Sequence, residues 1–381
     1  MNTPIEGAIL LAACRHEPGG PQLHNRPDHI DWNRVLNLAR IHALTPSLAR
    51  GLSPLGLDVP ESIDHELHAR TAAIAARNLR RVSELLTVTD LLKDAGVNAV
   101  PFKGPVLALQ AYGNLASREF VDLDLLVPTS HVRAAAQVLG TAGYRMEPSL
   151  RDDVLQRLLR TDHEVLFVGP DGGLLELQWG LAARYFVMNP EAESMMRRAV
   201  SVEVGGRQLS VLTAEDLVLM LAIHAGKHLW ERAAWVVDLD RVVRSMPSID
   251  WSIVRERARR AHALRMARLS IAIAWRALAP TWVPHVSAAL GRDPAADDIA
   301  TRLVAAWFLP GERASRDEPS STERDLFRLH DNGRDALRHL WRLAVTPSEA
   351  DLGAIHLPQG FGWGYVPLRF GRLVTTRIRR G

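Results

Sequence analysis

The chain of 381 residues has one cysteine, Cys14, so no intrachain disulfide can form, and a reducing cytoplasmic setting is the expectation. No apolar run reaches the roughly 18 residues that a membrane span needs. The opening segment MNTPIEGAILLAAC lacks a basic start and carries Glu6, which makes it a poor secretory signal. Charge is nearly balanced, with 46 Lys and Arg against 43 Asp and Glu, a formal net of +3. That surplus is too slight to mark a partner for long nucleic acid. The one basic cluster, Arg369, Arg372, Arg377, Arg379 and Arg380, reads as a solvated tail. Internal repeats and low-complexity tracts are absent. What remains, 47% hydrophobic and 23% charged residues, is an ordinary globular composition with room for two or three domains.

Residues 1–94 read as a helical lobe. Apolar positions recur at helical spacing in IEGAILLAACR, in WNRVLNLARIH and from Glu61 to Lys93. Breaks fall at Pro18-Gly19-Gly20-Pro21 and at Ser53-Pro54-Leu55-Gly56. His42, His65 and His68 are expected at the surface or as caps. The pattern changes over 95–212. VNAVPFKG reads as a strand and turn, PVLALQAYG as a helix, FVDLDLLVP as a strand and HVRAAAQVLGTAG as an amphipathic helix. HEVLFV and LLELQW follow as strands joined through Asp171-Gly172-Gly173. The expected core is therefore a small mixed β-sheet with helices on one side, an α+β arrangement built on an α/β unit. Residues 213–310 read as a second helical lobe. Residues 311–381 read as a polar loop, a helix around Leu326 to Val345 and a Gly/Pro-rich tail that packs back.

The chemistry concentrates between Lys103 and Pro128. Asp122 and Asp124 stand two apart in a β-forming run, so both carboxylates leave the same face about 7 Å apart. Like charges on an otherwise buried strand are costly unless a cation joins them, and hard oxygen ligands of this kind suit Mg²⁺. Glu176 lies in LLELQW on the same face as Gln178, while Leu175 and Leu177 face the other way. Glu176 can complete a triad with the two aspartates across adjacent strands, the arrangement expected for two-metal phosphoryl or nucleotidyl transfer. Lys103 and Gly104 open a helix where backbone N–H groups and a cation favour phosphate oxygens. Arg118 can fork onto a triphosphate or pair with Glu119 or Asp122. Downstream, Thr213 and Asp216 form a capping-box-like start, and His224 and His228 share a helix face. That pair lacks the Glu and third ligand of a zinc site, which leaves a polar face with Lys227 or His228 touching phosphate or base, or a purely structural helix. Trp230 and Trp235 read as core.

These residues resemble the nucleotidyltransferase superfamily, in particular its bacterial group of uncharacterised nucleotidyltransferase-like proteins. The resemblance rests on Lys103-Gly104, Tyr112, Arg118 and Asp122-Leu123-Asp124-Leu125-Leu126-Val127. It continues through Leu139-Gly140, Gly143-Tyr144, His163, Trp179, Glu215-Asp216-Leu217, the stretch from His224 to Trp230, and Asp238. It covers most of 95–260. The better-known members have Gly-Ser in place of Lys103-Gly104, commonly Asp in place of Glu176, and members of the group often have His in place of Gln178. The resemblance implies a nucleotidyltransferase fold and Mg²⁺-dependent transfer of a nucleoside monophosphate, with ATP or another NTP as donor. Asp122, Asp124 and Glu176 would hold the metal, two ions being expected, with Glu176 also available as base. Lys103, Gly104, Arg118, Lys227 and His228 would hold the nucleotide. The acceptor, a small molecule, peptide or protein, is not written in the sequence. The alternatives are a silent nucleotide- or partner-binding protein on this scaffold, and phosphoryl or glycosyl transfer in tailoring a peptide natural product.

Overall fold

The structure, a computed structural model, describes residues 3–15, 29–308, 327–347, 351, 364–367 and 369. The expected breaks at 18–21, the loop at 311–324 and most of the C-terminal tail lie outside the described residues. Four helices open the chain: α1 (Ile5–Cys14), α2 (Trp32–Ile41), α3 (Thr45–Gly51) and the long α4 (Glu61–Asp94). The central region runs β1 (Val100–Pro101), α5 (Gly104–Tyr112), β2 (Asp122–Leu126), α6 (Val132–Thr141), β3 (Arg145–Glu147), α7 (Asp152–Thr161), β4 (Glu164–Val168) and β5 (Leu174–Gln178). Next come α8 (Ala192–Arg197) and the hairpin β6 (Val200–Val204) with β7 (Arg207–Val211). Helices α9 (Ala214–Lys227), α10 (Ala234–Ser245), α11 (Trp251–Arg260), α12 (Leu264–Leu278), α13 (Val283–Leu290), α14 (Pro294–Ala306) and α15 (Gly333–Val345) follow.

Several boundaries have a local cause. Asp31 caps α2 by accepting from Arg34 N–H at 2.9 Å, and Thr213 caps α9 through Asp216 N–H. Asp250 does the same for α11 and Asn332 for α15. In each case a short polar side chain takes up a backbone donor that the first helical turn leaves unpaired.

The five-stranded sheet has the order β1-β2-β5-β4-β3. All its pairings are antiparallel except β2 with β5, which run parallel with Asp124 opposite Glu176 and Leu126 opposite Gln178. Alternation then sorts the sheet into two faces. Leu123, Leu125, Leu175 and Leu177 are fully buried in one core with Leu85, Val88 and Leu92 of α4, Val132, Ala135 and Leu139 of α6, and Val211 of the β6–β7 hairpin. The opposite face carries the acids. A second core joins α1, α2 and α3 to α9, α10, α12 and α14, and takes in Phe102, Leu107 and Leu126 at the edge of the sheet. The N-terminal and C-terminal helices thus bury one another beside the acid-bearing face.

Two expectations need correction. His42 is not a surface residue: it is 2% exposed, with Nε2 3.2 Å from the Trp307 carbonyl and Nδ1 accepting from Ala233 N–H at 3.3 Å. Its partners lie far off in the chain, so local pattern gives no hint of them. Trp235 is not simply core either. It is half-buried, against the rings of His224 and His228 at 5.2 and 5.4 Å. Trp230 is core, at 1% exposure. Among the described residues, no helix is long and apolar enough to cross a membrane.

Candidate active site

The parallel pairing of β2 with β5 places the carboxylates of Asp122, Asp124 and Glu176 together, with one oxygen of each within 4.8 Å of the others. Asp124 is 2% exposed, and its Oδ2 is buried without a hydrogen-bond partner among the described residues. A buried, unpartnered carboxylate oxygen is costly unless a cation or donor reaches it. The geometry therefore fits a hard divalent cation. Among the described residues this triad is the only cluster of three or more His, Cys, Asp and Glu side chains with that spacing. The histidines of α9 do not form one.

Lys103 approaches the same oxygens from the turn before α5, with Nζ 2.5 Å from Asp124 Oδ1. Burial alone would strip its proton, but Asp124, Glu176 and Asp122 outweigh burial and hold it charged. Burial pushes Asp124 in the opposite sense, and repulsion from Asp122 and Glu176 adds to that. The pull of Lys103 is insufficient, and Asp124 stands above the usual carboxylate range. Glu176 is raised for the same leading reason. Gln178 secures the pair from below: Nε2 donates to Glu176 Oε2 at 2.8 Å and to Asp124 Oδ1 at 3.2 Å.

Gly104 is required twice over. Its φ is +51°, and a Cβ there would sit 3.1 Å from the Asp122 carbonyl oxygen. Only glycine lets the helix begin this close to the acidic strand. Pro105 follows in the first turn, where its missing N–H costs nothing.

Arg118 does not turn towards the acids. Its Nε and Nη2 each donate to Asp238 at 2.9 Å, Tyr112 Oη donates to the same carboxylate at 2.7 Å, and Nη1 reaches the Gly104 carbonyl at 3.5 Å. The pair is buried, with side-chain exposures of 12% and 2%. Neither expected partner, Glu119 or Asp122, takes its fork. Arg118 ties the Lys103-Gly104 turn to α10.

Lys227 and His228 end α9 at the rim of the site. Lys227 Nζ lies 3.0 Å from His163 Nε2. That same nitrogen is 3.1 Å from Glu164, and His163 Nδ1 is 2.9 Å from Asp162. Burial, with Lys103 adding to it, lowers Lys227, although Glu164, Glu176 and Asp124 oppose this. His228 keeps part of its surface open while its ring packs edge-on to His224 and tilted against Trp235, and desolvation of that packed ring, then Lys227, pushes its pKa down to about 4.

Glu164 is a fourth acid on this face, opposite Gln178 in the register. Contact with His163, against an opposing effect of burial, lowers it to about 2. Sequence reasoning missed it, yet counting back from the Asp171-Gly172-Gly173 turn would have found it, because hairpin register follows from the turn.

Residues 28–279 match the family described as "Uncharacterised nucleotidyltransferase", about two-thirds of the chain. The chain belongs to this family. It is a nucleotidyltransferase on that ground, and its fold is the α+β arrangement expected. No functionally curated protein matches it. Among solved structures, this nucleotidyltransferase is similar to the lincosamide antibiotic adenylyltransferase LnuA in its lincomycin-bound form, at 15% identity and a TM-score of 0.30, over 42% of this chain and 94% of that one. It is also similar to the antibiotic-resistance factor ANT(2'')-Ia, at 15% identity and a TM-score of 0.32, over 47% of this chain and 89% of that one. At these values the likeness assigns neither substrate nor acceptor to this nucleotidyltransferase.

Proposed function

We propose that the protein transfers a nucleoside monophosphate, AMP from ATP in the first instance, to a hydroxyl or phosphate of a small-molecule, peptide or protein acceptor, with release of pyrophosphate and dependence on Mg²⁺. The observation that carries the reading is the convergence of Asp122, Asp124 and Glu176 beside the Lys103-Gly104 turn. The three acids would hold Mg²⁺, which when bound neutralises charge on the triphosphate and polarises the phosphorus under attack. A bound cation would draw all three acids into their ionised form, and these with the Lys103 ammonium would present a charge of two negative to one divalent ion. A second ion would draw on the donor's own phosphate oxygens.

The chain's own residues do the rest. Lys103 and the first amides of α5 face the phosphates, where a fixed cation and free N–H groups stabilise charge as it moves to the departing pyrophosphate. Arg118 serves the nucleotide by holding that turn against Asp238. Gln178 orients Asp124 and Glu176 by donating to both. Lys227 and His228 lie at the rim, where they meet phosphate or base. Glu176 is also placed to take the proton of an attacking hydroxyl.

The test uses ATP labelled at the α or at the γ phosphate, incubated with Mg²⁺, the full chain and a cell lysate. Label retained in a product only from the α position, and lost in Asp124→Asn, is the expected result. Label retained only from the γ position would replace nucleotidyl transfer with phosphoryl transfer.

A further inference from the structure

A cavity of about 400 Å³ opens where β5 leaves the sheet, next to the acidic face. His163 borders it, and the same ring reaches Lys227 and Glu164 at the rim of the triad. Its apolar wall includes Trp179 and Phe186, both largely buried. Its charge is one-sided, with Arg160, Arg184, Arg338 and Arg342 all lining it. The one acid there, Asp162, is already engaged by the backbone N–H and Nδ1 of His163, each at 2.9 Å.

Arg160, Arg184 and Arg342 pair with no carboxylate among the described residues, and Arg338 only reaches Asp335 at 3.7 Å. These guanidinium groups are not all waving in solvent. Arg342 Nη1 donates to the Arg184 carbonyl at 3.4 Å, and Arg184 Nη1 donates to the Arg160 carbonyl at 3.2 Å. Each is held by backbone, which fixes position without neutralising charge. Arg342 is only half-exposed, and partial burial and repulsion from Arg338 and Arg184 disfavour its charged form. Positive charges gathered this way repel one another unless an anion joins them, and planar guanidinium donors fit phosphate and carboxylate oxygens in pairs.

We propose that this cavity is the acceptor subsite, and that it binds an anionic group, phosphate or carboxylate, attached to an apolar or aromatic moiety. The inference rests on the nucleotidyltransferase reading for its purpose, though not for its binding chemistry. From Glu176 to Gln178, the last residue of β5, the strand advances about 7 Å, and Trp179 and Gly180 follow beyond its end on the cavity wall. An acceptor anchored on the arginines must therefore extend past the end of β5 to bring a hydroxyl or phosphate to the triad. The acceptor class is an extended anionic molecule or peptide end rather than a compact neutral one.

The experiment is calorimetric titration of the full chain, in EDTA and at low salt, with phenyl phosphate, benzoate and benzyl alcohol as probes. Arg184→Glu and Arg342→Glu are compared with Arg80→Glu, an exposed arginine elsewhere on the chain. Saturable binding of an anionic probe, absent for benzyl alcohol and weakened about tenfold in both cavity variants but not in Arg80→Glu, supports the subsite. Preference for phenyl phosphate or for benzoate then assigns the anion. Equal binding of the neutral probe, no anion binding, or the same loss in Arg80→Glu overturns it. Affinity for ATP with Mg²⁺ is expected to be unchanged in the cavity variants. If it falls with theirs, the cavity belongs to the donor nucleotide and the proposal fails. Anion binding with no AMP transfer would sink the catalytic reading and leave the subsite standing.

Discussion

Replacing Arg118 by Met tests whether its guanidinium serves the fold or the triphosphate. The side chain makes two 2.9 Å bonds to Asp238, a carboxylate 2% exposed that also accepts from Tyr112. Methionine fills a similar volume but leaves Asp238 charged and buried with only the phenol as partner. Breaking one side of a buried ion pair costs about 3–5 kcal/mol, because the surviving charge has lost its compensation. Urea unfolding of Arg118→Met is therefore expected to show a loss of that order. Asp238→Asn in the same background should recover part of it, since a neutral amide needs no counter-ion. With the Asp238→Asn single variant completing the cycle, the coupling between the two residues is expected at about 0.5–3 kcal/mol. ATP affinity should weaken only modestly, through the slackened Lys103-Gly104 turn. A stability change below about 1 kcal/mol, together with a collapse of ATP binding, would refute the reasoning and return Arg118 to the triphosphate.

Other outcomes follow from neighbouring geometry. Gly104→Ala forces a left-handed backbone on a residue with a side chain and sets its Cβ 3.1 Å from the Asp122 carbonyl, so a loss of about 1–2 kcal/mol in thermal or urea unfolding is expected, with reduced turnover. Gln178→Leu removes the donor shared by Asp124 and Glu176, and Mn²⁺ affinity read by electron paramagnetic resonance should fall about 10–100-fold. His339 is 3% exposed, and burial, then His330, pushes its pKa down to about 4. The unfolded chain takes up a proton below about pH 6.5 that the folded ring refuses, so stability is lost as pH falls from 7 to 5, by about 2 kcal/mol from this group. His339→Phe should flatten that part of the urea-unfolding profile, and an unchanged slope would count against it.

The acids were legible because their signal is local. Period-two alternation puts Asp122, Asp124, Glu176 and Gln178 on their faces without knowledge of the sheet. What alternation cannot supply is which strands are neighbours. The distances among the three carboxylates depend on the parallel contact of β2 with β5, which joins residues about fifty apart. Asp238 stood in the recognised pattern, but its role as the partner of Arg118 appears only when α10 packs against α5. The β6–β7 hairpin carries a turn signal in Gly205-Gly206, yet its strands mix exposed Glu203, Arg207 and Gln208 with few core residues, so its apolar pattern is thin. The cavity arginines come from α7, the segment after β5 and α15, and no window of the sequence brings them together.

The side-by-side course of β2 and β5 also bears on when the molecule becomes competent during its own synthesis. Two aspartates emerge first from the ribosome, and the glutamate that completes their set comes about fifty residues later, after α6, β3, α7 and β4 have been made. A chain released or cut anywhere in that interval holds a lysine and two acids but not the three-acid cluster. The cluster is therefore complete only once β5 has been made and has closed beside β2.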